Sequence, residues 1–410
     1  MALSQLIDDW DRDQRLIDRI LDRCFQALQR RKASISTKRR EDIKVWDSAH
    51  SDSNSPHADP HRQLNGFSHN VAPDICAPLT PAALEWLHRN EPLLQEAAAA
   101  AKEKQVLSAR RTLAVLCERY SLLYAELAKH SDALGLDFQG IDHDSDRCQK
   151  MLEELYDNKG WTLSHESEVK VYYRHLKGDP YHSVKLEAVL EAPIEHVLAL
   201  AAEYDLTKMW NSFMKASDIL YTEYPFLTCI YGSLWTPIIT FDACVKAEGY
   251  DLGEEDRSLL VGLTNLTEEE VAKIGALPDG HERRRRATIG TGSCFRVEAL
   301  PPTADGRPRT RGMVMGHLNP RLPYVPAFLV NFVLKVASPV IFKLMKKAVA
   351  ELFQDPNGEY RQRLKAKPEL YAPMQARTKQ LMNKFYGVED YAPAMKRSSP
   401  ASRAATAKEE

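Results

Sequence analysis

Residues 322–353, LPYVPAFLVNFVLKVASPVIFKLMKKAVAELF, decide how this chain is read. The first 21 of them, to Phe342, carry one charge, at Lys335. Three structures suit such a run: a membrane span, an ordinary core helix, or a helix that meets lipid without crossing a bilayer. On a helix numbered from Pro326, Asn331, Lys335, Ser338 and Lys346 fall on one stripe. Leu329, Phe332, Val333, Val336, Val340, Leu344 and Ala348 cover the opposite face, while Phe328 and Phe342 interrupt the polar stripe. A spanning helix needs about 20 residues that are apolar all round. It would not place Lys335 at mid-span, where a charge costs roughly 2.5–3.5 kcal/mol on insertion scales. Pro339 removes one backbone hydrogen bond and predicts a kink. The expectation is an amphipathic core or gate helix.

The segments ahead of it offer that helix a partner. VKVYYRHL (169–176) and HSVKLEAVLEA (182–192) are rich in β-branched and aromatic residues and are bounded by Gly, Asp and Pro. Pro193 starts a helix, PIEHVLALAAEYDLTKMW, after which LTCIYGSLW, IITFDACVKAEGY and SLLVGLTNL read as strands. Beyond a polar loop come GSCFRVEAL and RGMVMGHL, separated by PPTADGRPR, whose Asp-Gly predicts a hairpin turn. Strands grouped in this way, with a helix between and a helix at the end, predict an α+β domain with an antiparallel sheet over 158–354.

The N-terminal half has a different texture. Leu3, Ile7, Trp10, Gln14, Ile17, Leu21, Cys24 and Leu28 keep a 4-3-4-3 spacing within residues 1–30. This seam suits a helix docked on its own protein, or a coiled coil that gives self-association or a protein partner. Residues 31–79 are polar and Ser/Pro/His-rich, too poor in apolar surface to offset the ordering entropy, and are expected to be a disordered linker. Their histidines (50, 57, 61 and 69) lack Cys partners and ligand spacing, so no metal is expected. Thr80-Pro81 supplies an N-cap and a first helical residue, opening a helical region over 80–157. A helix pair turning near Lys104–Val106 is predicted there, then a short helix Asp144–Tyr156; such helices serve as scaffold or bind a partner. Residues 355–390 read as a basic helical extension of peripheral character, and 391–410 as a disordered tail.

Composition narrows the function. With 55 Lys+Arg against 57 Asp+Glu, the net charge of −2 excludes a globally basic nucleic-acid binder. Seven cysteines, an odd number without a CxxC, suit reduced buried thiols rather than a disulfide framework. The start MALSQLIDDWDRDQRL lacks a signal-peptide pattern and a glycine for myristoylation, and TAKEE is no prenylation box. A cytoplasmic protein is expected, peripheral at membranes if it meets them. No GxSxG occurs, and GTGS (290–293) lacks the Lys of a phosphate loop, so neither a catalytic triad nor a cofactor is called for.

With these elements in order, the region from about Gly160 to Phe353 resembles the START (StAR-related lipid transfer) domain of the helix-grip, Bet v 1-like superfamily. GWTLSHESEVKVYYR, with Trp161, resembles the entry to the first strand. EYDLTKMWN, with Asp205 and Trp210, resembles the acidic-x-x-x-x-Trp segment after the first domain helix. HLNPRLPYVPAFLVNFVLK resembles the final strand, its Asn-Pro turn and the closing helix. GSLWTPIITFDACV sits at the family's Arg-Asp strand, but Thr240-Phe241-Asp242 stands there, so no contact of that Arg is carried over. The resemblance implies a helix-grip fold: a curved sheet around a long C-terminal helix, with an internal apolar tunnel for one lipid, such as a phospholipid or sterol, gated by that helix.

Candidate lining residues follow from that likeness: Trp210, Tyr231, Trp235, Phe241, Arg296, Met315, His317, Phe328, Phe332 and Val336. Arg296 and His317 would orient a head group if they point inward, or be satisfied core or surface residues if they do not. The aromatic residues would line the tunnel or simply pack. In HERRRR, Arg283, Arg284, Arg285 and Arg286 form a solvated loop or a patch for anionic lipid head groups, each worth about 1 kcal/mol near such a surface. Three functions remain in view: non-enzymatic binding, transfer or sensing of one lipid; a helix-grip enzyme of cyclase or hydrolase type, for which His317 is the candidate; and a scaffold whose N-terminal helices bind a partner while the domain targets lipid.

Overall fold

A computed structural model of the chain describes residues 79–391, apart from 237, 238, 276, 279, 282, 283, 323, 389 and 390. The heptad seam of 1–30, nearly all of the polar segment 31–79, and the tail after 391 lie outside the described residues.

Thr80 caps the first helix as expected, its Oγ1 accepting from the Ala83 backbone at 3.2 Å. Helices α1 (Pro81–Asn90), α2 (Pro92–Lys102) and α3 (Val106–Tyr120) follow, and α2 and α3 form the expected pair. The chain turns between them through Lys104, whose φ of 53° lies in the left-handed region. Two short helices, α4 (Tyr124–Ala128) and α5 (Ser131–Leu134), lead to α6 (Phe138–Tyr156), one turn and more longer at its start than the Asp144–Tyr156 expected. Leu94, Ala97, Ala109, Leu113 and Leu116 form a core among the first helices.

Strands β1 (Thr162–Glu166), β2 (Val169–Arg174) and β3 (His182–Leu190) precede helix α7 (Ile194–Ala202) and a 3₁₀ turn at Tyr204–Met209. Then come β4 (Met214–Glu223), β5 (Leu227–Trp235), β6 (Thr240–Leu252), α8 (Gly253–Asp256), β7 (Ser258–Asn265) and α9 (Glu268–Ile274). The set closes with β8 (Arg285–Arg286), β9 (Thr288–Ile289), β10 (Cys294–Leu300) and β11 (Arg309–Asn319). The main path runs β1-β2-β3-β11-β10-β7-β6-β5-β4, antiparallel at every step, with β8 added to β6 and β9 to β11. The Asp-Gly turn between β10 and β11 lies where the sequence places it, with Gly306 at φ 78°.

Helix α10 (Ala327–Glu351) lies across one face of this sheet, so the domain is an α+β helix-grip fold. By length and composition α10 is apolar enough to cross a membrane, but it sets Leu334, Phe342, Leu344 and Ala348 in one core with Val169, Val171 and Val297 of the strands. Asn331, Lys335 and Lys346 are exposed, as the stripe predicts. Ser338 departs from that stripe: it is buried and donates its Oγ–H to the Val333 carbonyl at 2.8 Å. Residues Val333–Ala337 form a π turn that ends just before Pro339. A proline cannot donate to the preceding turn, and the wider π turn is one way a helix absorbs that loss.

The C-terminal extension departs from its expected peripheral character. Helices α11 (Glu359–Ala366) and α12 (Pro368–Tyr386) put Tyr360, Leu370, Tyr371 and Met382 into the α10 core. Glu203, fully buried at the end of α7, accepts from Lys367 Nζ at 2.7 Å, Tyr371 Oη at 2.8 Å and Arg363 Nη1 at 3.3 Å. Three donors on one buried carboxylate tie the extension to the domain. Cys117, Cys148, Cys229, Cys244 and Cys294 are free and buried.

Candidate functional site

The sheet has two covered faces, and alternation sends neighbouring residues of a strand to different ones. On β10, Phe295, Val297 and Ala299 turn to the α10 side, called the inner face here; Cys294 turns to the other side, against α6. On β11, Val314 pairs with Phe295 and belongs to the inner face, while Met313 and Met315 lie in the core beneath α6.

The inner face is incompletely packed. β11 sits in the middle of the sheet between β3 and β10, yet Val314 is 37% exposed and Leu318 41%. Gly312 and Gly316 share that face, and a Cβ on either would meet nothing within 4 Å. A filled interior leaves no such gap beside a central strand. The space therefore lies beside β11 on the face that α10 covers, where Val330 and Leu334 of α10 join the core. Phe332 packs edge-on against Phe213 with ring centres 6.2 Å apart.

The outer face is polar and closed. Cys148, Met151 and Leu155 of α6, with Val106 of α3, cover Tyr250, Leu260, Cys294, Met313 and Met315. Arg296 is 2% exposed; its Nε donates to Asp256 Oδ2 at 2.6 Å and its Nη1 to Glu298 Oε2 at 3.3 Å. Lys185, equally buried, donates to the Leu155 and Asp157 carbonyls at 3.1 and 2.9 Å and to Asn158 Oδ1 at 2.8 Å, capping the C-terminus of α6. Burial lowers its pKa. His317 Nδ1 lies 2.7 Å from Ser183 Oγ and its Nε2 3.5 Å from Glu154 Oε2. Glu154 also accepts from Arg174, and its carboxyl is held below the usual range, first by the His317 contact.

These positions correct part of the sequence reading. Arg296, Met315 and His317 lie on the outer face, where each is taken up by packing or pairing, and so cannot orient a ligand under α10. Tyr231 is also outer: its hydroxyl donates to Asp242 Oδ2 at 3.0 Å and accepts from Arg284 Nη1 at 2.7 Å. Burial raises its pKa to about 12. Trp235, two strand steps on, shares that face, with Lys215 over its ring. Trp210 is a core anchor whose Nε1–H donates to Tyr360 Oη at 3.1 Å. Phe241 alternates to the inner face opposite Leu234, and Phe328 stands one turn before Phe332 on α10. Of the candidates, strand alternation thus keeps Phe241 on the inner face, while Phe332 is buried against Phe213.

Two arginines of the basic run, read from sequence as a solvated loop or a head-group patch, are held within the fold. Arg286 clamps Asp242 through Nε and Nη2 at 2.9 and 3.2 Å, and Arg284 is held by Tyr231. Arg285 is exposed and donates to the Arg321 carbonyl at 2.6 Å; Arg283 lies outside the described residues. The residues that sequence reading missed are Gly312, Val314, Gly316 and Leu318. Their every-second-residue spacing in RGMVMGHL was visible, but the face they occupy was not.

The fold defined here is a helix-grip fold with an apolar space under its long helix. No family model matches the chain, and no curated protein matches it. Among solved structures the domain resembles human StAR-related lipid transfer protein 5, at 18% identity and a TM-score of 0.42 over 51% of this chain and 95% of that one. Human STARD10 is similar at 15% identity and a TM-score of 0.42, covering 56% and 86%. The Zhui aromatase/cyclase of Streptomyces sp. R1128 is also among the matches, at 9% identity and a TM-score of 0.29 over 43% and 99%.

Proposed function

We propose that the protein binds one lipid between the inner face of the sheet and α10, and carries or senses it in the cytoplasm without catalysing a reaction. The observation that supports this most is the open inner face of β11, apolar side chains half exposed in the centre of a sheet and beneath a helix. An apolar surface of that kind is stabilised by an apolar occupant. An enzyme on the same fold would need an acid or base beside the ligand; His317, the candidate for that role, lies across the sheet from it.

Loading and release would use the end of the domain where α10 begins. There β3 starts beside the end of β11, with His182 opposite Leu318. Leu176 in the β2–β3 turn is 59% exposed and Tyr324 before α10 is 74% exposed, with Lys177 and Arg321 exposed nearby in the chain. Apolar tips with basic neighbours suit brief contact with an anionic membrane surface.

Native mass spectrometry of the full chain, purified and then incubated with mixed-lipid vesicles, tests the reading. One lipid per chain is expected; a protein that stays lipid-free after incubation refutes it.

A further inference from the structure

One end of the inner face is built around two stacked histidines, and their chemistry bears on how that end opens, an inference that rests on the lipid-binding reading above. On β3 the inner residues run from His182 through Val184 and Leu186 to Ala188. His182 pairs with Leu318, while Val184 pairs with Gly316 on one side and with Tyr173 of β2 on the other. His182 and Tyr173 therefore border the open part of the face, beside the partly exposed Leu318.

Each imidazole is tied in place. Tyr173 Oη lies 2.7 Å from His182 Nδ1. The exposed His175, where β2 enters the turn to β3, donates from Nδ1 to the Tyr181 carbonyl at 3.0 Å. The turn itself is closed by the Asp179 N–H on the Leu176 carbonyl at 3.0 Å and the Tyr181 N–H on Asp179 Oδ1 at 2.9 Å. Held in this way, the rings of His175 and His182 lie face to face, with centres 4.3 Å apart and planes parallel within 1°. Nitrogen lone pairs lie in the ring planes, so two rings stacked in parallel do not converge on one metal ion.

Such a stack suits neutral rings. One imidazolium can rest on a neutral ring as a cation on a π face, but two face to face repel. The groups acting on His182 are the Tyr173 hydroxyl from β2 and His175 and Asp179 from the turn; its partner on β11, Leu318, is uncharged. Burial and the facing His175 hold the His182 pKa below 6.5, while Asp179 pulls the other way. An ordinary histidine titrates near pH 6.5, so mild acid is enough to set two charges against each other here. The turn also carries the exposed Leu176 and Lys177, which suit contact with an anionic bilayer. The negative potential of such a bilayer concentrates protons at its surface.

We propose that the His175–His182 stack is a proton-operated latch: neutral in bulk water, it holds the β2–β3 turn against the open end of the inner face, and charged at an acidic membrane surface, it parts and lets the lipid pass.

Deuterium uptake of the full chain without lipid is followed at pH 7.5 and 5.5, on either side of the histidine range, each peptide being normalised to the unfolded chain. Protection of the segment 175–182 is expected to fall about tenfold in acid, one pKa unit of repulsion between the rings, while β10 and β11 keep theirs. His175→Phe keeps a ring without a charge, and His182→Gln keeps a partner for Tyr173 without a charge; both are expected to lose this pH dependence. The chain is then loaded from mixed-lipid vesicles and mixed with phosphatidylcholine vesicles, and the lipid it retains is counted by native mass spectrometry. Release at pH 5.5 is expected to be at least about fivefold faster than at 7.5 in the wild type and independent of pH in both variants. A turn whose protection ignores pH, an acid response kept by both variants, or an equal loss in β10 and β11 overturns the latch. A turn that opens without faster release overturns its control of the lipid. A chain that takes up no lipid overturns the lipid reading itself, and the uptake result for the turn stands apart from it.

Discussion

The two faces of one sheet invert the usual order of a protein interior. On the outer face, beneath α6, Arg296 and Lys185 are almost wholly buried. On the inner face, beneath α10, the hydrophobic Val314 and Leu318 are the residues left half exposed. Burial and polarity are decoupled because the two faces do different work. The outer face joins the N-terminal helices to the sheet and can bury charges since each one is paired; the inner face keeps apolar surface open.

The comparison breaks most sharply at Arg296. Arg296→Ala removes the contact to Asp256 and one of the cations on buried Glu298, which keeps Arg311 at 3.3 Å and Arg257 at 3.7 Å, and is expected to cost about 3 kcal/mol, the low end for breaking a buried charge network. Chemical denaturation reads the loss. Lipid retention by the folded fraction is expected to be unchanged, since the residue faces away from the cavity; lost retention with intact stability would place Arg296 with the ligand after all.

A second contrast is between paired and unpaired buried charge. Glu195, 3% exposed at the start of α7, has an Oε2 without a partner, and burial pushes its carboxyl up from 4.5 to about 7. A carboxyl whose pKa is raised on folding contributes stability that is full below about 4.5 and is lost as pH rises through about 7. Neighbouring His196, stacked on Phe353 at 4.0 Å, is pushed the other way by burial, from 6.5 to about 3. Its contribution is present above 6.5 and is lost as pH falls toward 3. Comparing the chain with Glu195→Gln cancels the histidine. Relative to that variant, the wild type is expected to lose on the order of 3 kcal/mol between pH 4.5 and 7; parallel stability curves would show that Glu195 is not buried as described.

The smallest effect separates adjacent residues of β11. Met315→Ala, on the packed face, is expected to cost at least about 2 kcal/mol. Val314→Ala, on the open face, is expected to cost less, about 1 kcal/mol, because more than a third of its surface stays in water in the folded chain. Equal losses from the two would mean that both faces are packed alike.

Much of this fold was legible in the sequence. The strand segments, the Asp-Gly turn, the helix pair about Lys104 and the amphipathic stripe of α10 all followed from local periodicity and turn chemistry. The face of each strand residue did not. Cys294, Met313 and Met315 are apolar on one face, and Phe295, Val297 and Val314 are apolar on the other, because helices cover both. With apolar residues on both sides, and the charges of the outer face buried rather than solvated, the pattern does not fix the phase, and a shift of one residue exchanges the two sets. That is why the sequence leaves Arg296 and His317 open between an inward and a satisfied position, counts Met315 among the lining candidates and passes over Val314 and Leu318. The fate of the arginine run was hidden for another reason: Arg286 finds Asp242 through a tertiary contact 44 residues away in sequence.

The central claim is that the lipid occupies the inner face, and cysteine protection tests it most directly. Val314→Cys and Met315→Cys are each treated with maleimide, with and without saturating cholesterol-containing vesicles, and the labelled peptide is followed by mass. The account predicts that the thiol at 314 reacts in the lipid-free protein and is protected by lipid, and that the thiol at 315 stays unreactive throughout. Lipid-dependent protection at 315, or a thiol at 314 indifferent to lipid, would contradict it.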